Sequence, residues 1–292
     1  MHPAAFSFDI EDWYHSQLIA GRDRHAHGVT VVRPGTEAIL DLLDRHGVRA
    51  TFFVLGDVIR EHPDLARRIV DEGHELGCHG MDHQPVWQLT PGSFRAQLQD
   101  FRALVEEAVG AFPVIGFRAP TFSIDRSTAW ALDVLREQGY RYDSSIFPAK
   151  VKLYGVHGAP LGIYRPARGD LVAHDPAGDL VEFPVAVNRW GPLRVPVGGG
   201  FYLRALPYRV FAGSLDRILA ARPVALYLHP REVVPETRRL ALSPVNAFLT
   251  YNNLHTVRPK LEKLFRRYRW VTMREILERD GWLGGVPGSS AD

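Results

Sequence analysis

One cysteine in 292 residues excludes an internal disulfide framework and a multi-cysteine zinc site. An excess of one charge is also missing. Thirty-five Lys and Arg stand against 33 Asp and Glu, a net charge of +2 at pH 7. With no long basic run, the chain offers no electrostatic case for a nucleic-acid partner. No apolar run approaches the length of a transmembrane helix. No internal repeat or low-complexity block is present. The first strand is expected within the first few residues, which leaves no room for a signal peptide, so the expected location is cytoplasmic. What remains is an ordinary soluble composition, 46% hydrophobic and 23% charged. The length suits one large α/β domain or two small ones, with a substantial core.

The most informative stretch is Phe6-Ser7-Phe8-Asp9-Ile10-Glu11-Asp12-Trp13. It reads as a buried strand ending in three carboxylates. Carboxylates are costly to bury without a cation or donor, so this strand end asks for a metal, an Arg or both. Strands and helices then alternate, which predicts an α/β layering with parallel strands. A polar loop is expected from Tyr14 to Val32. Helices are expected over 34–46, 63–72, 91–105, 127–138, 206–220 and 256–268, with a last one opened by the capping box Thr272-Met273-Arg274-Glu275. Strands are expected over 50–55, 75–78, 114–118, 141–143 and 224–228. The Pro- and Gly-rich middle, 145–200, is expected to hold short strands, including 180–187. Residues 284–292 read as a flexible tail.

Each buried strand is followed at once by a reactive residue: Asp9, His79, Arg118, Asp143 or His229. In parallel α/β folds the strand C-termini converge on one face, where active sites form. His79 and His83 have the spacing His-x-x-x-His; on a helix their rings would lie one turn apart and reach one metal. The simplest third ligand is a carboxylate of the opening stretch, and two His with a carboxylate form a hydrolytic set suited to zinc, cobalt or nickel. Arg118 reads as a guanidinium orienting a catalytic carboxylate. His229 reads as a proton donor at a strand end. Alternation turns Cys78 away from His79, into the core. Gly198-Gly199-Gly200 lacks the Lys of a phosphate loop and reads as a tight turn presenting Phe201 and Tyr202 to a groove. Trp13 and Tyr202 are aromatic candidates for stacking on a sugar ring.

In order and spacing these segments resemble the polysaccharide deacetylases of the NodB-homology type, carbohydrate esterase family 4. The resemblance rests on Phe8-Asp9-Ile10-Glu11-Asp12, His79 to His83, Arg118-Ala119-Pro120-Thr121, Tyr142-Asp143-Ser144-Ser145 and Leu226 to His229, and spans about residues 4 to 235. The segment from Gly200 to Pro207 further resembles the branch encoded beside exopolysaccharide and exosortase loci. The resemblance implies a distorted (β/α) barrel with fewer than eight strands, forming one domain over 1–283 whose C-terminal extension, about 236–283, is helical. It implies a divalent metal, zinc first, and an N-acetylated glycan as substrate. Asp9 would be the general base, Arg118 its tether, His79 and His83 metal ligands, and His229 the general acid paired with Asp143. A backbone N–H near Thr121 would hold the oxyanion. The family's usual pair of adjacent Asp is interrupted by Ile10, so the metal carboxylate is either Glu11 or Asp12. Thr121 stands where an aromatic is usual. The activity implied is removal of an N-acetyl group from an amino sugar. The alternatives are a deformylase or allantoinase-like C–N hydrolase, or an inactive glycan-binding domain.

Overall fold

Strand β1, Ala4–Ile10, is buried at every position, and its two faces meet different surroundings. Ala4, Phe6, Phe8 and Ile10 join the main hydrophobic core. Ala5 joins a separate cluster with Phe53, Tyr142 and Ala225, and Ser7 and Asp9 point the same way. One face packs on helices and the other fills a lumen, as the period-2 alternation of a strand requires. The computed structural model describes residues 1–15, 30–151, 153–234 and 239–284. Positions 16–29 of the expected polar loop, and the expected tail beyond 284, lie outside the described residues.

The remaining strands are β2 (Thr51–Val54), β3 (Glu75–Cys78), β4 (Gly116–Phe117), β5 (Tyr142–Asp143), β6 (Pro166–Ala167), β7 (Asp170–His174), β8 (Val181–Glu182), β9 (Val187–Trp190), β10 (Leu193–Pro196), β11 (Val224–Leu228) and β12 (Trp270–Val271). The main sheet runs β11-β1-β2-β3-β4-β5-β8, with β12 paired to β1. All its pairings are parallel. A parallel bridge between Val185 and Ala225 links the two ends of the path. The result is a curled sheet of seven strands in sequence, a distorted (β/α) barrel with the helices outside. Bulky side chains fill its lumen. A Cβ at Gly116 would lie 2.3 Å from the Tyr142 ring, so only glycine fits there.

Local signals account for the helices. Val32–His46 stops at Gly47, whose φ of 59° is left-handed. Thr90 caps Pro91–Val109 through the Ser93 N–H. Thr272 and Glu275 form the expected capping box on Met273–Arg279. The middle region holds two antiparallel hairpins, β6–β7 and β9–β10, outside the main sheet. The strand expected over 180–187 is divided: Val181–Glu182 pairs with β5, and β9 begins at Val187.

The C-terminal extension is more than helical. Its β12 pairs with Ala4 and Ala5 of β1. The N-terminus of its last helix closes the lower end of the lumen: Met273 N–H donates to Thr51 Oγ1 at 2.9 Å, and Arg274 N–H to Glu75 Oε2 at 3.1 Å. Tyr142 Oη and Thr51 Oγ1 also donate to the buried Glu75 carboxylate.

Candidate functional site

The upper end of the lumen, where the strands terminate, opens into a cavity of about 330 Å³. Asp9, Glu11, His79, His83, His229, Arg231 and Glu232 line it, with Thr121, Phe122, Tyr154, Phe201, Tyr202 and Tyr227 among the walls. Alternation along β1 turns Asp9 into the lumen, and Glu11 follows it through a tight turn in which the Glu11 N–H donates to the Asp9 carbonyl.

Arg118 has no exposed surface. Its Nη1 donates to Asp9 Oδ1 and to Ser7 Oγ, both at 2.7 Å, and its Nη2 to Ser144 Oγ at 2.8 Å. Its guanidinium lies 4.3 Å from the centre of the Phe53 ring. A buried cation needs such partners on every edge, and they leave Asp9 one fixed orientation. The backbone carbonyl of Arg118 also meets His79 Nδ1 at 2.8 Å, which aims Nε2 of that ring toward Glu11.

Glu11, His79 and His83 are all buried, with candidate ligand atoms within 4.8 Å of one another. Glu11 Oε2 touches His83 Nε2 and lies 4.0 Å from His79 Nε2. It has no hydrogen-bond donor among the described residues. Two inward ring nitrogens and a donor-less buried carboxylate oxygen are the chemistry a divalent cation needs, and they fit one. Burial pushes the Glu11 carboxyl up, but His83, His229 and Arg231 outweigh it and hold the group well below the usual carboxylate range. Burial lowers His79 to about 4, so it is neutral near pH 7, the form that ligates metals.

The His pair does not reach this arrangement on a helix. The backbone after β3 is a loop in which Gly80 has φ 84° and His83 φ 62°. Left-handed residues re-aim the second ring, and the centroids end 5.4 Å apart. Non-glycine residues of positive φ gather here: among the described residues they are His83, Thr121, Phe122 and Asn253, and the first three line the cavity.

Asp12 does not join the His pair. Its carboxylate accepts the N–H groups of Trp13, Val31 and Val32, and so satisfies the start of the helix Val32–His46. Trp13 is not on the cavity wall either; it is 6% exposed and packs against Val31, Leu240 and Leu242. Thr121 and Tyr202 do line the cavity. Asp143 is not paired with His229. Tyr142 and Ser144 point into the lumen, so alternation turns Asp143 the other way, against Glu182. Ser145 Oγ donates to Asp143 Oδ1 and accepts the Ala119 N–H at 2.8 Å. Burial pushes Asp143 up to about 6, and burial and the neighbouring Asp143 raise Glu182 well above its usual value. Burial thus moves both carboxyls in the same upward direction.

His229 instead meets Glu232, at 3.1 Å from Nδ1 to Oε2. Its Nε2 lies 3.7 Å from Glu11 Oε1, which Arg231 Nη1 also holds at 3.1 Å. Arg231 and Glu232 sit on the short helix Pro230–Val233, for which His229 is the cap. The signal was in the sequence: His229-Pro230-Arg231-Glu232 has the spacing of a capping box, with Pro at the first helical position.

Residues 27–142 match the family model described as Polysaccharide deacetylase, and residues 144–278 match Domain of unknown function (DUF3473). The boundary divides the cavity: His79, His83 and Arg118 fall in the first segment, His229 and Glu232 in the second. The chain is 33% identical over 142 residues to the peptidoglycan deacetylase-like protein FGM2 of Gibberella zeae, covering 48% of this chain and 41% of that one. It is 40% identical over 100 residues to a chitooligosaccharide deacetylase of Rhizobium leguminosarum bv. trifolii, covering 34% and 43%. The matches thus span less than half the length of these curated relatives. Among solved structures, a candidate polysaccharide deacetylase from Mycobacterium smegmatis superposes with a TM-score of 0.63 at 20% identity, over 100% of this chain and 98% of that one. The PuuE allantoinase gives 0.60 at 14% identity, over 95% and 89%, and shares the fold. Residues 27–142 therefore carry the match to the polysaccharide deacetylase family, the NodB-homology type of carbohydrate esterase family 4.

Proposed function

We propose that the protein is a metal-dependent hydrolase that removes the N-acetyl group from an amino sugar in a polysaccharide, oligosaccharide or lipid-linked glycan precursor. The observation that carries this reading is the buried Glu11, His79 and His83 group, which shares one cavity with Asp9 and His229. A divalent cation there, zinc first and cobalt or nickel next, would acidify water and polarise the acetamide carbonyl. Asp9, fixed by Arg118, takes the proton of the attacking water. The hydroxyl bonds to the acyl carbon, and a backbone N–H near Thr121 would help hold the developing oxyanion. The C–N bond breaks with its electrons on nitrogen, His229 supplies the proton, and acetate and a free amine result. Tyr202, Phe201 and Tyr154 offer rings against which a sugar can stack.

The test is acetate release from N-acetylglucosamine oligomers by protein loaded with each metal in turn. Asp9→Asn is expected to retain the metal and lose at least about 100-fold in kcat. His79→Ala is expected to lose the metal itself, by elemental analysis. Formate or ammonia as product in place of acetate would reassign the substrate. Full activity in Asp9→Asn would end the assignment.

A further inference from the structure

His229 needs an orienting carboxylate, and the one expected from the sequence faces away from it. We propose that Glu232 is the positioning residue of this site: it fixes the His229 ring so that Nε2 faces the cavity, and the helix Gly200–Ala205 exists in its present form to hold Glu232 in place. The reaction being served rests on the deacetylase reading, whereas the geometry does not.

Glu232 is 2% exposed, and each of its oxygens is engaged. Oε2 accepts the His229 backbone N–H and faces His229 Nδ1, both at 3.1 Å. Oε1 accepts Arg204 Nε at 3.0 Å. An ionised carboxylate only accepts, so the neutral ring must carry its hydrogen on Nδ1. Nε2 is then the atom left to exchange a proton with a leaving nitrogen. Arg204 is itself buried, and its other nitrogens donate to the Asn252 and Leu249 carbonyls at 2.7 and 2.8 Å. With the Arg204 and His229 partners outweighing burial, Glu232 lies at about 2 and keeps its charge through the neutral range.

The same short helix explains the glycine run. A Cβ on Gly200 would lie 2.3 Å from both Glu232 carboxylate oxygens, and nothing else is as close. Gly200 and Arg204 are four residues apart on one face, so the helix supplies at once a gap for the carboxylate and a cation to hold it. Of the three glycines that resemble a phosphate loop, Gly200 is room for an acid, while Gly198 and Gly199 clear Val185 and the Tyr227 ring.

Two variants separate this role from mere packing. Glu232→Gln removes the charge, and Gly200→Ala displaces the carboxylate without removing it. Both are expected to lower kcat on the acetamide by about 10- to 100-fold, with KM within about threefold. Both should leave hydrolysis of 4-nitrophenyl acetate within about twofold, because that leaving group departs without a proton. The second readout is the long-range ¹H–¹⁵N spectrum of the histidine rings in metal-free protein, which reports the tautomer without any activity. Wild type should show His229 protonated at Nδ1 when neutral, both variants should lose that preference, and Asp143→Asn should keep it. An Nε2-protonated ring in wild type, or a tautomer that follows Asp143 and ignores Glu232, would overturn the proposal, even if neither variant can be folded. A clean tautomer result with no deacetylation in wild type would retire the deacetylase reading and leave the positioning role standing.

Discussion

Two pairs of buried carboxyl-bearing contacts lie at the ends of strands in this barrel, and their carboxyls are shifted in opposite directions. Asp143 and Glu182 meet across β5 and β8 with no guanidinium or imidazole between them, and both are pushed up, Asp143 to about 6. Glu232 is as deeply buried, yet Arg204 and His229 bring it down to about 2. Depth alone therefore does not decide ionisation; a cation within hydrogen-bond reach does. The ionised acid faces the chemistry. In the other pair, Ser145 connects Asp143 to the backbone next to Arg118.

The largest effect that tests this contrast is on stability. Glu232→Gln leaves Arg204 buried without its counter-charge and is expected to cost about 3 kcal/mol, whereas Asp143→Asn replaces a carboxyl already pushed up by burial with a neutral isostere and should cost under about 1 kcal/mol. Urea unfolding at pH 7 measures both, and equal losses would erase the distinction. Next comes pH. For Asp143 the folded value is above the unfolded one, so the folded state binds the extra proton and stability falls as pH rises from about 4 through about 6. The slope is worth on the order of 3 kcal/mol and should flatten in Asp143→Asn. Glu232 acts with the opposite sign: its contribution is present above its unfolded value and is lost as pH falls toward about 2. Melting temperature against pH in wild type and the single variants reads both slopes. The smallest effect is the coupling between Asp143 and Glu182. A double-mutant cycle with Asp143→Asn and Glu182→Gln should give about 1 kcal/mol of interaction energy, and zero would mean that the two carboxyls are uncoupled.

Alternation made much of the site legible. The parity of Asp9 on β1 puts it in the lumen, and Glu11 follows through the turn just after Ile10. The same rule, applied to Tyr142-Asp143, turns Asp143 outward, but only once Tyr142 is known to reach Glu75 across the lumen. Asp12 was ambiguous because its partners, the amides of Val31 and Val32, lie nearly twenty residues on and return through tertiary structure. The His79 and His83 pairing was visible as spacing, while its geometry was not: a helix and a loop with left-handed turns at Gly80 and His83 leave the same pattern in sequence. Helix ends carrying Thr90, Gly47 or Thr272 were readable because each is a local hydrogen-bond device. The hairpins of the middle region were not, since β6–β7 and β9–β10 are short and stand apart from the main sheet.

The order in which strands join β1 has a consequence for how the protein is made. The strand bearing Asp9 is made before each of its neighbours, which come from residues 51–54, 224–228 and 270–271. Its full set of backbone partners is complete only once residue 271 has been made. Until then Asp9 and Glu11, both buried in the folded protein, wait in water, and a nascent chain halted before residue 224 holds them without His229.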